Sequence, residues 1–278
     1  MSALEVVLDG ATEPPAADGS TSLRRAHTPE LDALATSGRI TLRRTTPDGL
    51  PVGTETALPV LLGWTPPAPV DRAALEAAAH GIDVPVGTRA VRIDGATGED
   101  LAALAATGFA VHALDAARGH LAIGPGRLPA LSTSARVWSA GLVPPTGVLD
   151  ATTVVIAARG AASGAATLLG ARVVVPDGAT GDTDTDLRAK TAAALAALED
   201  GATRIVVHVG APDAAAHRGD EEAKVCAIEA ADRYVIGPLR AAVAGRTDTS
   251  LAVGADHGCD PATGRHDGDP VPWVLWSP

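Results

Sequence analysis

Thr153-Val-Val-Ile-Ala157, Arg172-Val-Val-Val175, Arg204-Ile-Val-Val-His-Val209 and Ser250-Leu-Ala-Val-Gly-Ala255 are short, apolar and β-branched, and longer Ala-rich stretches lie between them. Runs of this length without strict alternation read as strands buried on both faces. The intervening stretches read as helices: Ala161 to Leu169, closed by Gly170; Asp186 to Leu198, with Leu187, Ala194, Leu195 and Leu198 on one face; and Glu221 to Leu239 for most of its length. Strands alternating with helices predict an α/β fold, a mainly parallel sheet covered on both sides.

Working outward, Ala3 to Leu8 repeats the buried-strand pattern and stops at Asp9-Gly10. Thr28 suits an N-cap and Pro29 the first position of a helix that Gly38 ends. Gly53-Thr54-Glu55-Thr56 reads as a loop entering a helix, despite Pro59. Between the breaks at Pro66-Pro67-Ala68-Pro69 and Pro144-Pro145 the texture changes. A helix near Ala73 to Ala79, a strand near Arg89 to Ile93, a helix from Asp100 to Ala106 and two further short strands are expected there. The expected division is a discontinuous core of residues 1–66 and 147–278, with residues 67–146 as a small α+β insert.

Composition narrows the partners. Hydrophobic residues make up 46% of the 278, but aromatics only 2%, so the core is built from Val, Leu, Ile and Ala. With 33 acidic against 22 basic residues the net charge of −11 repels a phosphate backbone, and no basic cluster interleaves with aromatics. Nucleic acid is not an expected partner. Cys226 and Cys259 read as reduced thiols. No window has the length and apolarity of a membrane span, and no targeting segment is evident, so a soluble cytoplasmic protein is expected.

The chemistry gathers at strand ends. Asp9 follows the first strand, Asp213 comes shortly after Val209, and Asp256 follows Ala255. Ligands of open parallel sheets bind beyond the carboxyl ends of the strands. Three carboxylates there repel one another unless cations lie between them. His217 stands one helical turn after Asp213, His257 directly follows Asp256, and His266 is a short loop further on. Mixed carboxylate and imidazole donors suit Zn²⁺ or Mn²⁺. His208, inside an apolar strand, reads as a buried structural or supporting histidine, and His27, His80 and His112 as surface or capping residues. Cys259 reads as a bystander thiol, with a soft metal ligand as the alternative, and Lys224 as a surface or salt-bridging residue.

Several segments together resemble a known family. They are Asp9-Gly10, Thr28 to Ala35, Gly53-Thr54-Glu55-Thr56-Ala57, Gly178 to Lys190, His208 to His217, Lys224 to Asp232, Asp256-His257-Gly258 and His266 to Pro272. They are similar to the archaeal type of cofactor-independent phosphoglycerate mutase, in the alkaline phosphatase superfamily. The resemblance implies an alkaline-phosphatase-like core and two divalent metal ions. Asp213, His217 and His266 would hold one; Asp9, Asp256 and His257 the other. It puts Thr54 at the position of the metal-contacting nucleophile and Lys190 near the phosphate of a small phosphorylated substrate; a solvent-facing helix lysine is the alternative reading of Lys190.

Two departures shape the expectation. The mutases carry serine where this chain has Thr54, whereas phosphodiesterases and phosphonate hydrolases of the superfamily use threonine; the added methyl restricts χ1. The chain is also shorter than a typical mutase, mostly in the insert that supplies the substrate-binding arginines. Arg89, Arg92, Arg118 and Arg127, with His120, are the replacements expected from that region. Metal-dependent phosphoryl transfer most like the mutase is expected. A phosphatase, a phosphodiesterase or phosphonate hydrolase, and a non-catalytic metal- or metabolite-binding homologue are the alternatives.

Overall fold

The computed structural model describes residues 2–114 and 119–278, so Arg118 lies outside the described residues. The chain opens with β1 (Ser2–Leu8), α1 (Ser22–Arg25), α2 (Pro29–Ser37), β2 (Arg39–Arg43) and α3 (Thr54–Leu61). It continues through α4 (Arg72–His80), β3 (Arg89–Asp94), α5 (Gly98–Ala106), β4 (Ala110–Ala113), β5 (His120–Gly124) and β6 (Arg136–Val137). The predicted alternation then follows as β7 (Thr153–Ile156), α6 (Ala161–Leu169), β8 (Arg172–Val174), α7 (Leu187–Glu199), β9 (Arg204–Val209), α8 (Ala211–His217) and α9 (Glu221–Ala231). A π-helical turn (Asp232–Ile236), α10 (Gly237–Val243), β10 (Thr249–Gly254), the hairpin of β11 (Gly258–Asp260) and β12 (Arg265–Asp267), and β13 (Val271–Trp276) complete it. No helix of the described residues is long and apolar enough to cross a membrane.

The large sheet runs β2-β13-β10-β1-β9-β7-β8. β1 is parallel to both β10 and β9, and β7 is parallel to β9 and β8. The fold is thus α/β around a mainly parallel sheet, as the alternation predicts. Val6, Val7, Ile156, Val207, Leu251 and their neighbours fill its two faces with aliphatic side chains. The register aligns Leu8 with Val209 and Val7 with Gly254, so the carboxyl ends of β9, β1 and β10 lie side by side at the centre of the sheet. That register is what brings three acids distant in sequence to one edge.

Two strands escape the sequence pattern. β13 carries Pro272 as its second residue, which argues against a strand, yet it pairs antiparallel with β10 and β2. β2 is an edge strand whose apolar residues face out, Ile40 at 57% and Leu42 at 71% exposure, so the usual inward pattern is inverted. A third difference concerns α2. Thr28 is its N-cap residue, but the Thr28 side chain makes no capping bond. The Asp232 carboxylate, presented by the π-helical turn, instead accepts from the backbone N–H of Glu30 (3.2 Å) and Leu31 (2.8 Å). A distant residue does the capping that local sequence assigned to Thr28.

The smaller antiparallel sheet, β4-β5-β3-β6, lies within residues 89–137. α4 packs directly on α6, where a Cβ on Gly164 would lie 2.0 Å from the Leu75 carbonyl oxygen. Only glycine lets the two backbones come that close.

Candidate metal centre

Each acid reaches the edge of the sheet from a different strand. Asp9 follows β1, with its backbone N–H bonded to the Val209 carbonyl (3.0 Å). Asp213 sits in the first turn of α8, which Pro212 helps to start, and the helical spacing sets His217 Nε2 3.3 Å from its Oδ2. Asp256 follows β10, and its Oδ1 accepts from the N–H of His257 (3.0 Å) and of Gly10 (3.3 Å). Gly10 has φ +61°, and a Cβ there would lie 2.7 Å from Asp213 Oδ1. The approach of Asp213 to the first strand therefore requires a glycine at this position.

Among the described residues, two groups of potential ligands emerge, Asp9 with Asp256 and His257, and Asp213 with His217, His266 and Cys259. His257 Nε2 is 3.2 Å from Asp9 Oδ1 and 3.5 Å from Asp256 Oδ2. His266 Nε2 is 3.3 Å from Asp213 Oδ1. The His257 and His266 rings stand 4.3 Å apart, so the groups adjoin. Thr54, first residue of α3, points its hydroxyl at Asp9 (3.2 and 3.3 Å) and lies 3.5 Å from His257 Nε2.

The hydrogen bonds outside the cluster say what the histidines are set to do. His217 Nδ1–H donates to the Gly264 carbonyl (3.0 Å), His266 Nδ1–H to that of Val52 (2.7 Å) and His257 Nδ1–H to that of Gly258 (3.1 Å). Each ring is thereby anchored through Nδ1 with Nε2 turned inward, the usual second contact of a metal-ligating histidine. His217 Nε2 and His266 Nε2 face each other at 2.9 Å. Two nitrogens at that distance need a proton or a metal cation between them. Asp213 Oδ1 and Asp256 Oδ2 are buried with no hydrogen-bond partner, which makes the same demand. The donor set fits divalent ions.

Electrostatics agree. Burial, reinforced by Asp256 and Asp213, pushes the Asp9 carboxyl up to about 7. Burial works the same way on Asp213, but the adjoining imidazoles of His217, His266 and His257 outweigh it and hold that carboxyl well below its usual range. Burial disfavours charge on His257, yet the facing Asp256 and Asp9 carboxylates raise it well above a normal imidazole.

All seven residues expected at the metals thus converge. His208, expected in a supporting place, also turns inward: its Nε2 lies 3.4 Å from Asp9 Oδ2, and burial lowers its pKa to about 4, so it is neutral. Lys190 is placed differently. It is fully buried, its Nζ donates to the His208 carbonyl (2.8 Å), and it is absent from the cavity wall. The ammonium therefore acts on the strand behind the site; neither a surface position nor direct exposure to the cavity fits this geometry. Lys224 is not at the surface either. It is fully buried and pairs with Glu13 Oε2 at 2.5 Å while donating to the Cys259 carbonyl at 2.6 Å. That joins the loop after β1 to β11. Lys224→Met strands a buried carboxylate and is expected to cost about 3–5 kcal/mol in chemical denaturation. Cys259, buried beside Asp213, has its thiol pKa raised, by burial first and then by the Asp213 charge.

A cavity of about 300 Å³ opens onto the cluster, lined on its far side by Glu55, Arg72, Arg92, Trp138 and Arg159. Of the insert residues read from sequence, Arg92 reaches this wall; Arg89 and Arg127 are exposed, and these two and His120 do not line it. Arg72, Arg159 and Trp138 were not legible, because nothing local distinguishes them from surface arginines or a core indole.

The sequence profile of the Metalloenzyme superfamily matches residues 1–278. The chain belongs to this superfamily. It is 27% identical to a probable 2,3-bisphosphoglycerate-independent phosphoglycerate mutase of Geobacter sulfurreducens, over 97% of this chain and 89% of that protein. Identity reaches 41% with the 2,3-bisphosphoglycerate-independent phosphoglycerate mutase of Ignicoccus hospitalis, over 41% of this chain but only 27% of that protein. The fold is shared with the PH0037 protein of Pyrococcus horikoshii (TM-score 0.77, 24% identity, 99% of this chain and 85% of that one). It is shared too with the cofactor-independent phosphoglycerate mutase of Thermoplasma acidophilum (TM-score 0.60, 19% identity, 100% and 90%). Membership makes this superfamily chain a metal-dependent enzyme.

Proposed function

We propose that the chain transfers a phosphoryl group from a small phosphate monoester to the Thr54 hydroxyl and then to a second acceptor. The observation that carries this is the Thr54 hydroxyl, 3.2 Å from Asp9 and 3.5 Å from His257, set against the Asp9–Asp256–His257 group at the cavity wall. Asp9, Asp256, His257 and Thr54 would hold one divalent ion, and Asp213, His217 and His266 the other, with Zn²⁺ or Mn²⁺ matching the donors. Bound there, such ions activate a hydroxyl and neutralise phosphoryl oxygens. Asp9 and His257 orient the Thr54 hydroxyl, and its place at the start of α3 aims the helix N-terminus at the phosphate. Residues 1–66 and 147–278 form the metal-binding core on this reading, and residues 67–146 bring Arg72, Arg92 and Trp138 to the substrate.

The named relatives favour return of the phosphate to the same substrate, as in a mutase. The β-branched Thr54 favours a hydrolase, since its stiff χ1 restricts reorientation between two substrate hydroxyls. Phosphorus NMR with 3-phosphoglycerate and a panel of phosphate esters, using protein loaded with Mn²⁺ or Zn²⁺, separates them. An isomerised ester means mutase; free phosphate means hydrolase. Neither product with any ester, together with no affinity for either ion, would leave a non-catalytic homologue.

A further inference from the structure

We propose that this site selects a phosphate monoester whose far end carries hydroxyl groups and no second anion. The inference rests on the phosphoryl-transfer reading above and concerns the cavity wall opposite the metal ligands.

The arginines of that wall are already engaged. Arg72 lies between Glu55 (3.0 Å) and Glu76 (2.9 Å). Arg92 lies between Glu76 and Asp94, the latter at 3.0 Å. Two guanidinium groups therefore meet three carboxylates. Arg159 donates to the Ala79 carbonyl (3.1 Å). The Glu55 and Glu76 side chains are 11% and 3% exposed, so solvent does little to screen the network. Burial works to raise the Glu76 pKa, but Arg72 and Arg92 outweigh it and keep the carboxylate charged.

A substrate carboxylate or second phosphate approaching Arg72 and Arg92 would meet guanidinium charges that Glu55, Glu76 and Asp94 already balance. It would have to displace a buried carboxylate from its arginine, leaving that charge without a partner. A hydroxyl needs no such exchange, because an ionised carboxylate keeps lone pairs beyond those its arginine uses. Trp138 adds an apolar surface for the carbon chain. It donates its Nε1–H to Asp94 (2.6 Å), and Arg72 and Arg92 stand 5.4 and 5.2 Å from its ring.

Glycerol 3-phosphate and 3-phosphoglycerate isolate the point, since they differ only in a terminal hydroxymethyl or carboxylate. Calorimetric titration of both into metal-loaded Thr54→Ala protein is expected to show glycerol 3-phosphate binding at least tenfold more tightly. Adding Glu55→Gln or Glu76→Gln is expected to narrow or reverse that ratio, by leaving an arginine short of a partner; the first serves if the second fails to fold. Equal or tighter binding of 3-phosphoglycerate overturns the inference, as does a ratio unmoved by Glu55→Gln or an absence of binding by either ester. Turnover of the same esters by the unsubstituted enzyme reads the underlying assignment separately. Preferred turnover of 3-phosphoglycerate sinks the selectivity and keeps phosphoryl transfer. Preferred binding of glycerol 3-phosphate, with no ester in the panel ever phosphorylating Thr54, does the reverse.

Discussion

Thr54→Ala is expected to lower turnover by about 10⁴-fold or more while leaving metal content unchanged. The size follows from the role: removing a covalent nucleophile deletes the step, whereas removing one ligand among several weakens it. Metal retention follows from geometry, because Asp9, Asp256 and His257 form their group without Thr54. Thr54→Ser keeps the hydroxyl and is expected to remain active. Metal analysis, steady-state rates and mass spectrometry of a trapped phosphoenzyme check the three statements. An alanine variant with normal turnover, or phosphate found on another residue, places the nucleophile elsewhere.

Metal removal has the second large effect, and its pH dependence carries a definite sign. In the metal-free chain burial, aided by Asp256 and Asp213, holds the Asp9 proton up to about pH 7. That proton must leave before a cation binds, and the His257 proton with it, so affinity is expected to fall by at least about tenfold for each pH unit below 7. Stability of the stripped protein runs the opposite way. A carboxyl raised from 3.8 to about 7 contributes stability present below pH 3.8 and lost as pH rises through 7. The difference in Tm between loaded and stripped protein therefore widens from pH 5 to 8. At pH 7.5, with ion at 100 times its Kd, it is expected to reach roughly 5–10 °C. A gap that stays flat across this range contradicts a metal centre built on Asp9.

Much of the fold was legible because buried parallel strands and their helices carry strong, local patterns. β7, β9 and β10 fall within about a residue of the runs that announced them, and α6 matches its run. β2 and β13 were hidden for different reasons, outward-facing leucine and isoleucine in one and a proline near the start of the other. Capping of α2 by Asp232 belongs to the same class, since the two partners lie 201 and 202 residues apart.

By itself the amino-acid order determined the acids at three strand ends, the His217 turn, the Asp256-His257 pair and the parallel-sheet class, because each depends on neighbours within one element. Only the tertiary structure decided that these acids meet, that Lys190 lies behind His208, and that Arg72 and Arg92 face the cavity with their charges already matched. The reason is the sheet order: β10-β1-β9 sets side by side chain segments some 200 residues apart, and Coulomb forces, desolvation and coordination act over ångströms of space rather than along the chain.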